Sequence, residues 1–273
     1  MKIDRARVLL TGAAGGIGQA MAERLRAAGA QVLGVGRQAA SGAFAPSDWV
    51  QADLLDPTGR DAVLAAAAHW QPNVVVQAAG LPGFGRVGTL DATQLQRLLE
   101  LNLLVPMLLT QALLPQLLAQ PRAQLVFVGS ALGSIGLPGF SAYGATKAGL
   151  LRYAEALRRE LADTPVRVQW LAPRATRTGF NNDAVEAYNA RTGTASDAPE
   201  EVADALLRLI ESEAAERTLG FPERLGVRLN PLLGAAMDGN FAAHRQALNA
   251  LDALHGSPSS PPVSPALTPR GTP

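Results

Sequence analysis

The glycine-rich turn Thr11-Gly-Ala-Ala-Gly-Gly-Ile-Gly18 follows the apolar run Val8-Leu-Leu10 with no intervening linker. A buried strand that ends in such a turn and re-enters the chain as a helix is a βα junction, and it commits the chain to packing a helix back onto a sheet. Gly12 permits the tight turn, Gly16 lets backbone approach a pyrophosphate, and Gly18 lets the helix sit close to its strand. The open helix N-terminus supplies unpaired N–H groups and the positive end of a dipole. A glycine cluster can serve merely as a turn. The strand before it and the helix after it favour nucleotide binding, with Thr11, Gly12, Gly16, Ile17 and Gly18 as the candidate contacts.

The remainder of the chain repeats that unit. After the first helix, stopped by Gly29, short apolar runs at Gln31–Gly36, Trp49–Ala52, Val74–Gln77, Leu125–Val128 and Val166–Leu171 predict strands. Helical patterns fall between them at about 57–69, 91–119 (in one or two pieces), 141–163 and 199–215, with Asp56-Pro57 as a cap and first-turn proline. The fold class is therefore α/β, a single Rossmann-type doubly wound parallel sheet flanked by helices. Residues 1–255 read as one catalytic domain. In the last stretch, 256–273, six of eighteen residues are proline, which predicts a disordered Pro/Ser-rich tail.

Composition narrows the function. The 273 residues carry a net charge of +1, which gives no reason to expect nucleic acid as a partner. With no cysteine there is no disulfide, thiolate catalysis or Cys-based metal site, and the three scattered histidines have no metal-ligand spacing. The leucine-rich run 98–119 is long enough to be tested as a membrane span. It holds Glu100, Asn102, Gln111, Gln116 and two prolines, so a helix buried against the sheet and another subunit is the simpler reading. No signal peptide fits the N-terminus, and the expected location is cytoplasmic.

Chemistry enters with Ser141-Ala-Tyr-Gly-Ala-Thr-Lys147. A four-residue spacing puts the Tyr143 phenol and the Lys147 ammonium on one helix face. A fixed cation beside a phenol is expected to lower its pKa from about 10, giving a proton donor for carbonyl reduction near neutral pH. Ser130 lies thirteen residues before the tyrosine.

The spacing Thr-Gly-x-x-x-Gly-x-Gly, followed in order by Ser130, Tyr143 and Lys147, resembles the short-chain dehydrogenase/reductase family over roughly residues 6–180. Asp53, Ala79-Gly80, Asn102, Pro173 and Thr178 also match. The resemblance implies that Tyr143 exchanges a proton with the substrate oxygen while a nicotinamide exchanges hydride with the carbon. It gives Lys147 the tyrosine and the nicotinamide ribose, Ser130 the substrate oxygen, and Asn102 a water that relays protons. It gives Asp53 the adenine amino group with Leu54 contributing backbone, Ala79 and Gly80 the adenosine ribose, and Thr178 the carboxamide or diphosphate. It further implies a small-molecule carbonyl or alcohol substrate and a homodimer or homotetramer.

Three features depart from the family pattern. Asn-Asn-Ala-Gly reads Gln77-Ala78-Ala79-Gly80, which removes amides that tie the strand to its neighbours. Pro-Gly reads Pro173-Arg174, so Arg174 is either an ion-pair residue or, with Arg177, a recogniser of an anionic or carrier-linked substrate. The second strand ends in Gly36-Arg37 where an acid would favour NAD, and the arginine favours NADP(H) with NAD(H) as the alternative. The polar stretch 181–198 shows no clean period and corresponds to the family's mobile substrate lid. The stretch from Arg217 resembles branches of the family whose last strand is followed by an extra helical segment. The competing function is a catalytically idle NADP-binding redox sensor or scaffold, against which the intact Ser–Tyr–Lys set argues.

Overall fold

The computed structural model describes residues 1–40, 42, 44–221 and 223–255, so the proline-rich tail lies outside the described residues. Strands β1 (Arg7–Thr11), β2 (Gln31–Gly36), β3 (Trp49–Gln51), β4 (Val74–Gln77), β5 (Ala123–Val128), β6 (Val166–Ala172) and β7 (Glu216–Thr218) form one sheet in the order β3-β2-β1-β4-β5-β6-β7. Every pairing is parallel. The strand order reverses at β1, between β2 and β4. In an open parallel sheet the crevice at that switch point is where a nucleotide binds.

Helices cover both faces, as parallel strands buried on two sides require. Helices α1 (Gly16–Ala27) and α7 (Pro199–Ser212) cover one face through Met21, Leu25, Leu206 and Ile210, all fully buried on Val8, Leu10, Val74 and Val76. On the other face lie α2 (Pro57–Trp70), α4 (Val105–Leu118) and α5 (Ser141–Glu160), which bury Val63, Leu109, Leu113 and Leu150 on Leu9, Val75, Leu125 and Phe127. Each such aliphatic side chain contributes about 1.5–3 kcal/mol on leaving water.

The long apolar segment is continuous from Ala92 to Leu118 and is the one helix among the described residues long and apolar enough to cross a membrane. Within it α3 (Ala92–Leu99) and α4 are joined by a π turn, Glu100–Leu104. Its inner side is buried through Leu98, Asn102, Val105, Leu109 and Leu117, so it packs as a core helix. Leu95, Leu99, Leu104 and Leu118 remain exposed on its outside.

Stretch 181–198 differs from its sequence reading. It contains helix α6 (Asp183–Thr192), opened by Asn182, whose side chain accepts from the Val185 amide at 3.0 Å, and closed by Gly193 in the left-handed region. A side-chain cap and a left-handed glycine define a short helix whose interior has weak periodicity. Two further helices follow β7. The first is α8 (Glu223–Met237), and the second, α9 (Ala242–His255), packs on α6 through Leu248, Leu251 and the fully buried Tyr188.

Candidate active site

The turn after β1 has the geometry its glycines predict. Gly12 has φ +70°, and a Cβ there would lie 2.8 Å from the Ala79 backbone. A Cβ on Gly18 would overlap the Gly12 carbonyl oxygen. Helix α1 is preceded by Gly15 as its N-cap, with no side-chain cap, so its first N–H groups present themselves to an incoming anion. These features fit a dinucleotide pyrophosphate. The Thr178 methyl lies 2.7 Å from where a Cβ on Gly16 would sit, which places the segment after β6 directly over the loop.

Thr11 has a role the sequence did not separate from cofactor contact. Its buried hydroxyl accepts from the Ala78 and Ala79 amides at 3.1 and 3.2 Å and joins the C-terminal ends of β1 and β4. Gln77 compensates for the amides lost from this segment. Its Nε2 donates to Thr110 Oγ1 at 2.8 Å and to the Pro106 carbonyl at 3.2 Å, tying β4 to α4. Asp53 closes a turn by accepting from the Leu55 amide at 3.0 Å, and Leu54 is buried beside it.

At the end of β2, Trp49 explains the missing acid. A Cβ on Gly36 would lie 2.6 Å from its indole, and the indole Nε1 is fixed by donating to the Gln38 carbonyl at 2.9 Å. An aspartate at position 36 would meet that ring. Arg37 follows with its side chain in solvent.

Ser130, Tyr143, Lys147 and Asn102 converge at the C-terminal ends of β4 and β5. Ser130 is buried and caps a 3-10 turn, its Oγ accepting from the Leu132 amide at 3.1 Å, and its hydroxyl draws the pKa of the Tyr143 phenol down. The glycine before it was not foreseen as a site residue. A Cβ on Gly129 would overlap the buried Trp170 indole, so Trp170 fixes the backbone that carries Ser130. Asn102 sits in the π turn, fully buried. It accepts from the Leu81 amide at 2.7 Å and donates to the Leu81 carbonyl at 3.0 Å and to Thr146 Oγ1 at 3.3 Å. The extra residue of a π turn is what rotates this amide inward. A Cβ on Gly80 would be 3.2 Å from Asn102 Oδ1 and 3.8 Å from Lys147 Nζ, so these two polar groups face the same point.

Lys147 is buried, and its Nζ donates to the Val128 carbonyl at 3.2 Å while standing 5.8 Å from the centre of the Tyr143 ring. Burial brings its ammonium down to about 8. Burial likewise pushes the Tyr143 phenol up to about 12, with the Ser130 hydrogen bond drawing it partly back. The expected lowering of the phenol by Lys147 is therefore corrected. The ammonium is turned to a carbonyl, and desolvation of the phenolate is the larger effect. Near neutral pH Tyr143 is a neutral donor and Lys147 a cation.

An aromatic wall surrounds the phenol that the sequence reading did not assemble. Phe140 and Phe180 lie edge-on to Tyr143 with ring centres at 6.4 and 6.2 Å. Phe84 and Tyr188 extend the wall behind Phe140 at 4.9 and 5.8 Å. The Tyr188 hydroxyl donates to the Pro138 carbonyl and meets His244 Nδ1, both at 2.8 Å, which pins α6 between the loop before α5 and α9. These residues come from four separated segments, and only their aromatic type, in a chain with 5% aromatics, marked them.

Arg174 is an ion-pair residue. Its guanidinium meets the buried Asp197 at 2.7 Å and Glu223 at 3.3 Å, and so clamps the end of the 181–198 segment and the start of α8. Arg177 is exposed and donates to the Ser196 carbonyl.

A doubly wound parallel sheet with a glycine turn at its switch point and a Ser–Tyr–Lys cluster beside it defines a nucleotide-dependent oxidoreductase. Residues 6–189 match the short chain dehydrogenase family model, and the chain belongs to that family of NAD(P)-binding oxidoreductases. It is 28% identical over 231 residues to the 3-oxoacyl-(acyl-carrier-protein) reductase FabG of Escherichia coli, covering 79% of this chain and 93% of that one. It is 35% identical over 191 residues to the uncharacterized oxidoreductase DltE of Bacillus subtilis, covering 66% and 75%. Among solved structures, a short-chain dehydrogenase from Burkholderia cenocepacia in complex with NADP superposes with TM-score 0.76 at 23% identity, covering 89% of this chain and 99% of that one. One from Sphingobium yanoikuyae in complex with NADPH gives 0.67 at 26%, covering 90% and 95%.

Proposed function

We propose that this oxidoreductase interconverts an uncharged ketone or aldehyde and its alcohol with NADP(H), using Tyr143 as the general acid and base. The observation that carries the reading is the half-buried Tyr143 phenol at the sheet's C-terminal edge, beside the buried Ser130 and with the buried Lys147 Nζ 5.8 Å from its ring centre. The nicotinamide would supply hydride. The chain's own residues would hold the cofactor through the Gly12–Gly18 turn and the α1 N-terminus, with Asp53, Leu54, Ala79 and Gly80 along the adenosine half. Thr178 and Lys147 would hold the nicotinamide half.

Ser130 would orient the carbonyl oxygen toward the phenol. Tyr143, protonated at neutral pH, would give its proton to the developing alkoxide and regain it through Lys147 and Asn102, which face a common point. Exposed Arg37 following Gly36 rather than an acid supports NADP(H), as do the relatives in complex with NADP and NADPH. The aromatic wall of Phe140 and Phe180 supports an apolar substrate, acyl-type ketones included. An anion held by Arg174 is not part of this reading, because Asp197 and Glu223 already balance that charge. Segment 181–198 would act as the lid, and exposed Leu95, Leu99, Leu104 and Leu118 offer a contact for a second subunit.

Replacing Tyr143 with Phe removes the proton and keeps the ring. We expect kcat to fall by roughly 10²–10⁴-fold with NADPH affinity retained. A variant that keeps most of its kcat with a panel of apolar ketones refutes the assignment.

A further inference from the structure

Strand β2 ends at Gly36, but the neighbouring strand keeps hold of the chain for two residues more. The Gly36 carbonyl accepts from the Ala52 amide at 2.8 Å, as a parallel ladder requires. The next two carbonyls are bound by side chains instead. Gln51 Nε2 donates to the Arg37 carbonyl at 3.2 Å, and Trp49 Nε1 donates to the Gln38 carbonyl at 2.9 Å. The chain bends at Arg37 and Gln38, and two residues of β3 shape that bend.

Trp49 reaches its carbonyl because β2 is bare beneath it. Gly34 and Gly36 lie two residues apart and share one face of the strand. Cβ atoms there would stand 2.8 Å from the indole Cε3 and 2.6 Å from its Cζ2, so the ring runs along both glycines toward the end of β2. Phe44 packs on the indole with ring centres 4.9 Å apart, and the Arg26 guanidinium covers Phe44 at 4.3 Å while pairing with Asp48 at 3.3 Å. From the other direction, the Ala13 amide donates to the Val35 carbonyl at 3.1 Å, and Ala14 Cβ lies 3.3 Å from where a Gly36 Cβ would be. The indole, the glycine turn and Arg37 therefore meet at one corner of the candidate cofactor site. Packing on two glycines needs only the ring. The indole N–H and the exposed Gln51 amide instead end on the carbonyls of a solvent-facing bend that adds nothing to the core. The Arg37 guanidinium extends from that bend, exposed and with no ion-pair partner among the described residues. A long side chain on a fixed root loses less freedom on binding than one on a loose loop.

We propose that Trp49 and Gln51 are positioning residues for cofactor selection. They fix the backbone that carries Arg37, and so sharpen recognition of a phosphate on the adenosine 2′ position over a bare hydroxyl. The proposal rests on the reading of Arg37 as the NADP(H) determinant, and adds that β3 shares in the choice. Neither side chain acts on the hydride or the proton, so both act through Arg37.

The test is calorimetric binding of adenosine 2′,5′-bisphosphate and of adenosine 5′-monophosphate to the full chain, two fragments that differ only in the 2′-phosphate. The wild type is expected to prefer the bisphosphate, and Arg37→Asp should abolish that preference. Gln51→Ala and Trp49→Phe each delete one donor. Each should narrow the preference by roughly two- to tenfold, the worth of one hydrogen bond, with affinity for the monophosphate unchanged. Their kcat at saturating NADPH should equal that of the wild type. Gln51 is exposed, so its variant keeps the test open if Trp49→Phe does not fold. A role in packing alone would weaken both fragments together and leave their ratio intact, and that result would overturn the proposal. If Arg37→Asp collapses the preference while the β3 variants leave it whole, the positioning role falls and the NADP(H) reading stands. If Arg37→Asp leaves the preference whole, or the wild type has none, both fall.

Discussion

Burying Lys147 without a carboxylate has a thermodynamic consequence that can be measured directly. Its pKa falls from 10.5 to about 8 in the folded protein, through desolvation. At about pH 7 both the folded and the unfolded chain hold the proton, and the buried charge costs about 3 kcal/mol. As pH rises past about 8 the folded chain releases the proton first, while the unfolded chain keeps it until about 10.5. The unfolded state then binds more protons, so stability rises with pH. Worked through both equilibria, the gain from about pH 7 to about pH 9.5 is roughly 2 kcal/mol. Tyr143 acts in the opposite sense, because its raised pKa gives stability that is lost above about pH 10. Over the same interval its effect is only about 0.2 kcal/mol. The assay is urea unfolding of the cofactor-free protein at the two pH values, for wild type and Lys147→Met. The wild type should gain about 2 kcal/mol more than the variant on going to the higher pH, and at about pH 7 the variant should be the more stable. Parallel pH dependence in the two proteins would refute the reasoning and show that Lys147 keeps an ordinary pKa in the fold.

Replacing Arg37 with Asp should collapse the ratio of kcat/KM for NADPH over NADH, and an unchanged ratio would mean that Arg37 does not read the 2′-phosphate. Gly129→Ala places a methyl into the Trp170 indole and should destabilise the protein by about 1–3 kcal/mol, read as a lower urea midpoint. Arg174→Ala leaves the buried Asp197 unpaired and should lower stability by about 3 kcal/mol while changing KM for neutral and acidic ketones alike. A rise in KM confined to acidic ketones would restore substrate recognition to Arg174.

The strands, the parallel sheet and the nucleotide turn were legible in the chain because they are written in local signals. Apolar runs of strand length recur between helical periods, and Gly12 and Gly18 stand where no Cβ fits, which is a constraint imposed by residues within the same turn. Tyr143, Lys147 and Ser130 were legible as a set because one helix and one strand end carry them in fixed order. What the sequence could not decide is how burial and distant contacts assign those groups their states. The spacing of Tyr143 and Lys147 suggested a lowered phenol, and the fold reverses it because partial burial raises the phenol and the ammonium is taken by the Val128 carbonyl. Gln77 looked like a lost anchor until Thr110 and Pro106 of α4 closed on it. Gly36 looked like a vacancy for an acid until Trp49 filled it. Arg174 read as either an ion-pair residue or a substrate recogniser until Asp197 and Glu223, 23 and 49 residues away, met it. The sequence alone determined the architecture and marked the groups proposed to react. The partners of Lys147, Gln77 and Arg174 lie on elements remote in the chain, so only the tertiary structure could decide the charge, packing and availability of each.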